Sequence, residues 1–384
     1  MPRNPTRTAS PARPARGLVR DLTRMPVVAA APAPEIVLDV RPAYDFFLSL
    51  MGDADAELLP EDRAWLDASR ASLSEGLKRD LELTFCHTDT CKGFGATVIY
   101  RIVGDPAIRT SADVVALVGQ LGAAEILCAE SDEDDDAMAH AVELAKRCLA
   151  GERDLLEETI AAWPEESRAQ AEPLLRDPDG YLRALRRVVR AWRERFEPIE
   201  DRITRFEQRD ADSRRADLVR LPLEAFVEQT TGGVRWVPDA RVRRVILATN
   251  YFGRPYNYVF GAADWHLFCY PVSDAALDLD RNAVPTSLVR LYRALGDESR
   301  LRILRYLADG DLYLTEIADR MSLSKPTVSH HLAQLRASGL VSTTSAGGLM
   351  YHSLRRDRLA ELGPDLARYL GPDLARAITT PRAG

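Results

Sequence analysis

The side chains best suited to chemistry cluster at Ser324-Lys-Pro-Thr-Val-Ser-His-His331. The cluster offers a cation, three hydroxyls and two imidazoles. Read as one helix at 100° per residue, Val328, Leu332 and Leu335 share one side and form a core stripe. Lys325, Pro326, Ser329, His330, Ala333 and Ala337 share the other. A cation, a hydroxyl and an imidazole near a helix N-terminus, with alanines beyond them that permit close approach, can reach base edges in a DNA major groove. Thr327, Gln334 and Arg336 flank that face and suit phosphate contacts. Ser324, at the start of the helix, is placed with them.

A second candidate is Cys86-His87 with Cys91, to which Cys128, Cys148 or His140 could be added. Zinc takes four ligands in tight pairs. A single Cys-x4-Cys does not supply them, so buried free thiols are the expectation. Five cysteines form no even disulfide framework. The acidic run at 130–136 lacks the spacing and turn glycine of an EF-hand and reads as a solvated loop or the first turn of a helix. Gly93-Phe-Gly95 is too short for a dinucleotide fingerprint, and no P-loop, Gly-x-Ser-x-Gly or His-Glu-x-x-His occurs. The chain is therefore expected to use no cofactor and to be no enzyme. The alternative is an enzyme or metal-binding protein with an auxiliary DNA-binding module.

The elements around the first cluster are legible. Residues 287–295 form an amphipathic helix closed by Gly296, and Asp297 caps a helix carrying Leu301, Ile303, Leu304 and Leu307. Thr315 is the expected cap of a short helix ending at Met321. Ser322-Leu-Ser324 makes the turn, with Leu323 as a buried plug. Ser324 caps the next helix, Pro326 occupies its first turn, and Gly339 is its left-handed stop. A hairpin follows, residues 340–345 and 349–354, then a helix over 357–370.

With these residues in view, Leu295-Gly-Asp-Glu-Ser-Arg-Leu-Arg-Ile-Leu304, Ser324-Lys-Pro-Thr-Val-Ser-His-His-Leu332 and Leu335-Arg-Ala-Ser-Gly-Leu-Val341 carry a resemblance. Residues 285–370 resemble the ArsR-type winged helix-turn-helix of bacterial transcription regulators. The resemblance implies a homodimer joined by the first and last helices of the module, with double-stranded DNA as partner. It places Lys325, Thr327, Ser329 and His330 at the bases and Tyr351 in the wing. Many members carry a Cys-x-Cys before the turn. Here Asp311-Leu-Tyr-Leu-Thr-Glu316 has no cysteine, so metal sensing is not carried over, and the wing tip Ser345-Ala-Gly-Gly348 lacks the usual basic residue.

The rest of the chain must position or govern this module. At 384 residues, more than one core is expected. Residues 1–34 read as a disordered basic tail rich in Pro and Ala, and Met25 offers a second start. Residues 35–275 read as an acidic, mostly helical regulatory, sensor or dimerisation domain. It ends in an antiparallel β meander near 242–272, and residues 276–284 are the linker. Residues 371–384 read as a flexible tail. The net charge of −7 divides unevenly: residues 285–355 hold nine Lys/Arg against six Asp/Glu, and the acidic excess lies in 25–284. Residues 96–103 suit a strand or a short helix, and 112–130 a helix. Leu182, Leu185, Val189, Trp192, Phe196, Ile199, Ile203 and Phe206 form a heptad seam. We expect a long helix packed on its own domain, with a dimerisation helix as the alternative and a kink or split at Pro198. The fold class is mostly α with some β. No apolar run is long enough to span a membrane, and no secretory leader is evident. We expect a cytoplasmic repressor whose N-terminal domain answers to a small molecule or protein.

Overall fold

A computed structural model describes residues 33–51, 56–85, 94–127, 136–163, 165–262, 264–279, 283–346 and 349–371. Residues 1–32, 130–135 and 372–384, with Cys86, His87, Cys91 and Cys128, lie outside the described residues.

The chain is mostly helical, with two four-stranded sheets. The first contains β1 (Glu35–Asp39), β3 (Arg244–Asn250), β4 (Tyr258–Ala262) and β5 (Trp265–Pro271); β2 (Val234–Arg235) belongs to the second. Its order is β1-β3-β5-β4, and the first three strands run parallel. The antiparallel meander expected near 242–272 is therefore corrected. Only β4 and β5 pair antiparallel, while β5 inserts between β4 and β3. The physical reason is burial on both faces. Six of the seven residues of β3 are buried, the mark of a central strand in a covered parallel sheet. One face of β3, with Val245 and Leu247, packs on Phe226, Trp236, Phe268 and Tyr270. Ile246 and Ala248 face the large helical core.

That core is organised by a helix running Pro178–Arg220. Seven seam residues, Leu182, Leu185, Val189, Trp192, Phe196, Ile203 and Phe206, are buried within it, and Ile199 packs against it. The seam is thus covered by the chain's own core. Pro198 does not split the helix. It sits on the exposed side, and the buried aromatics on either side hold the helix through the lost hydrogen bond. Trp192 Nε1 donates to Ser49 Oγ at 2.8 Å, so even the indole's polar atom is satisfied. Residues 96–103 lie in the helix Phe94–Gly104. The helix expected over 112–130 is broken into Ser111–Gln120 and Ala123–Leu127, with Gly122 between them.

The second sheet belongs to the C-terminal third: β6 (Leu312–Tyr313), β7 (Val341–Ala346) and β8 (Leu349–Leu354), with β2 added on the outside in the order β2-β7-β8-β6. β2 pairs parallel with β7, Val234 opposite Thr343 and Arg235 opposite Thr344. Thr343 N donates to Gly233 O at 3.1 Å and Arg355 Nη1 to Gly232 O at 2.8 Å. A segment far upstream thus covers the free edge of the hairpin, where unpaired N–H and C=O groups would otherwise face solvent.

Candidate nucleic-acid interface

Four helices and the hairpin enclose a separate apolar core. Leu291, Ile303, Leu307, Ile317, Val328, Leu332, Leu335 and Leu340 are its buried centre. Helix Thr286–Leu295 is followed by Glu298–Leu307, whose N-cap Asp297 accepts the Arg300 N–H at 2.9 Å. That bond, and the Arg300 charge beside it, hold the Asp297 carboxyl below its usual range. Helix Leu314–Met321 then leads into the turn. Thr315, the cap expected from sequence, does not cap it. The helix begins one residue before it, and the Glu316 carboxylate instead accepts the Tyr313 N–H at 3.2 Å. Ser322 takes the left-handed conformation at φ 55°, and Leu323 is half-buried against the core rather than fully enclosed.

The second helix of the turn spans Lys325–Ala337. Ser324 Oγ accepts the Thr327 N–H at 3.3 Å, and the two hydroxyls meet at 2.7 Å. Pro326 fills the first turn, where its missing N–H is harmless. Gly339 stops the helix at φ 73°, and Leu340 N closes it onto Leu335 O at 3.0 Å. Val328, Leu332 and Leu335 are no more than 1% exposed, so the rotation of the helix about its axis is fixed.

With that side locked, Ser324, Lys325, Pro326, Thr327, Ser329 and His330 are all exposed. Arg336 is exposed two turns beyond Ser329, and Ala333 and Ala337 are half-buried. Gln334 is half-buried, and its amide is occupied within the protein by Arg300 and His330. Tyr351 lies on β8 opposite Tyr313, their rings edge-to-face at 6.2 Å. His331 is half-buried, with Nδ1 3.9 Å from Asp297 Oδ1. His352 is 3% exposed, and burial pulls its imidazole down to about 4. The last helix is divided at Glu361 into Arg356–Ala360 and Leu362–Leu370.

Of the metal candidates, Cys148 is buried and its sulfur accepts from Arg153 Nη1 at 3.6 Å. Among the described residues no group of three or more His, Cys, Asp and Glu could hold a metal ion.

Residues 297–343 match the family model described as "Bacterial regulatory protein, arsR family". The chain is 36% identical over 64 residues to the transcriptional repressor SdpR of Bacillus subtilis, covering 17% of this chain and 71% of SdpR. The chain belongs to the ArsR family. The HTH-type transcriptional regulator CmtR of Mycobacterium tuberculosis is 41% identical over 75 residues, which cover 20% of this ArsR-family chain and 64% of CmtR. The chain thus spans less than two thirds of the length of CmtR. A solved structure of HlyU from Vibrio cholerae matches 22% of this chain and 91% of its own, at 34% identity and TM-score 0.19. All of these matches lie in the C-terminal fifth or so.

Two features of the module were missed in the sequence. β2 is only two residues long, too short for any periodicity. Arg300 reaches Gln334 across 34 positions, and only the His330–Gln334 spacing of four hints at that network.

Between the module and the rest lies a set of polar ties. Asp274 accepts from Thr286 Oγ1 and Ser287 N at 2.8 Å each, and pairs with buried Arg254. Arg290 pairs with Glu57. The first helix of the module is thereby held at its N-terminus by the upstream part. No helix among the described residues is long and apolar enough to cross a membrane.

Proposed function

We propose that the chain is a cytoplasmic transcriptional regulator that binds operator DNA as a homodimer and represses. The recognition helix Lys325–Ala337 lies in the major groove. Lys325, Thr327, Ser329 and His330 reach the bases, Ser324 and Arg336 the phosphates, and Tyr351 serves the wing. Gln334, whose amide is taken, acts behind the contact surface. The observation that carries this reading is the exposed row from Ser324 to His330 on a helix whose opposite side is locked into a core. Residues 285–370 form the DNA-binding unit. Residues 35–275 govern it in response to a small molecule or protein, through the Asp274, Glu57 and β2 ties. Exposed Tyr292, Tyr369 and Leu370, on the first and last helices of the module, support dimerisation there.

Selection of bound fragments from a random DNA pool by the full-length chain tests the reading. One enriched two-fold symmetric sequence is expected. A reporter placed behind that sequence should be silenced when the chain is expressed. SdpR is titled a repressor and HlyU an activator, so the same reporter rising would reverse the sign while keeping DNA binding. Failure to enrich any sequence would end the proposal.

A further inference from the structure

His330 is held by a chain of hydrogen bonds that begins outside its helix. Arg300 Nη1 donates to Gln334 Oε1 at 2.7 Å, and Gln334 Nε2 lies 3.0 Å from His330 Nε2. Arg300 is itself immobilised: Nε donates to Ala294 O at 2.8 Å and Nη2 to Arg293 O at 2.7 Å. These carbonyls belong to the last turn of helix Thr286–Leu295, where a cation is favoured.

The chemistry of the chain has one consistent assignment. A guanidinium carries only donors, so the Gln334 atom facing it must be the oxygen. That fixes the orientation of the amide. Its nitrogen then faces the ring, and an amide nitrogen only donates. His330 Nε2 must therefore accept, and in the neutral ring the hydrogen sits on Nδ1.

We propose that Arg300 and Gln334 are positioning residues that present His330 to DNA as an Nδ1–H donor, so that the recognition helix reads an acceptor edge, that of guanine with its N7 and O6. Adenine sets the N6 donor beside its N7, thymine a methyl beside its O4, and cytosine offers only the N4 donor, so guanine, with acceptors alone, is preferred and cytosine is rejected. The inference rests on the DNA-reading function proposed above and adds the base class that one side chain selects. The single network also explains why Gln334, one turn from the contact row, is taken up inside the protein.

The test uses the full-length chain with 15N-labelled histidine. Two-bond proton–nitrogen spectra identify the tautomer of each ring, and the His330→Asn variant assigns the signal. In the wild type, Nε2 should show the shift of an unprotonated nitrogen and Nδ1 that of an N–H. Gln334→Glu keeps an oxygen for Arg300 but turns a second oxygen toward Nε2, which must then carry a hydrogen; at about pH 9, where the imidazole is neutral and all the measurements are made, Nδ1 is left without one. Sequence selection with both proteins should show guanine preferred by the wild type at one position of each half-site. That preference should fall roughly tenfold or more in Gln334→Glu, the scale of one base contact. Gln334→Met, which keeps the volume without the amide, should give mixed tautomers and a weakened preference, and guards against a folding defect in the charged variant.

A wild-type Nε2–H tautomer overturns the inference. So does an unchanged guanine preference in folded Gln334→Glu. If the tautomer is as assigned but the wild type selects no sequence, the DNA-reading function fails and this base assignment falls with it. If selection succeeds with the wrong tautomer, only the inference fails.

Discussion

Glu207 is fully buried on the long helix, and neither carboxyl oxygen has an N–H or hydroxyl donor among the described residues. Its neighbour Asp45 accepts the Tyr251 and Phe252 N–H groups at 2.6 and 2.8 Å. The two carboxyls lie close together in the buried core, where holding both charged is costly, so the pair retains a proton. Burial pushes Glu207 well above the ordinary carboxylate range, and the facing Asp45 charge adds to the effect. The folded state therefore keeps a proton that the unfolded chain releases near the usual glutamate value. The stability tied to that proton is fully present below this value and is lost as pH rises through the raised folded one. One proton gives a slope of at most about 1.4 kcal/mol per pH unit, or about 3 kcal/mol between pH 5 and 7. Glu207→Gln keeps a donor toward Asp45 and removes the Glu207 titration, while Asp45, raised to about 6 by burial, remains in both proteins. All five tryptophans lie before residue 276, so their fluorescence in urea follows this core and not the C-terminal module. The variant should match the wild type near pH 5 and gain on it steadily to pH 7. Parallel stability profiles, or a variant less stable at pH 7, would refute the shared proton.

Three further outcomes follow from the module. Leu332→Ala, at 1% exposure, should cost roughly 2–5 kcal/mol by cavity formation, read as a lower urea midpoint of the far-UV signal. Arg336→Ala should weaken binding about equally for all DNA sequences and lower the slope of log affinity against log salt by about 1, whereas a sequence-dependent loss would move Arg336 off the phosphates. His352 is held neutral by burial, with its folded value down at about 4. Its contribution is present above the ordinary histidine value and is lost as pH falls from there toward 4, by up to about 3 kcal/mol. His352→Gln should flatten the acid limb of the module's stability, measured by hydrogen exchange, and an unchanged limb would show that another group titrates.

The recognition helix was legible because its signals are local. Ser324, Pro326, Gly339 and the stripe of Val328, Leu332 and Leu335 all act within a few residues of one another. The parallel sheet was not. β1 pairs with β3 across more than 200 positions, and a run of Val, Ile and Tyr specifies a strand but not its neighbour. The seam of the long helix announced an apolar stripe without stating what covers it, and the answer, the chain's own helices and β3, is long-range. The Thr315 cap was misplaced because Glu316 can cap from inside the helix. Nothing local singles out Arg300, since its partners on two other helices are set only by the tertiary packing.

The central claim is that the exposed face of Lys325–Ala337 reads base sequence. The direct measurement is the affinity of Ser329→Ala/His330→Ala for the selected operator and for a scrambled duplex, at one fixed salt concentration. Each lost base contact should remove roughly 1–3 kcal/mol from operator binding and leave scrambled-duplex binding nearly unchanged. A folded double variant that still prefers the operator by the wild-type ratio would contradict the account.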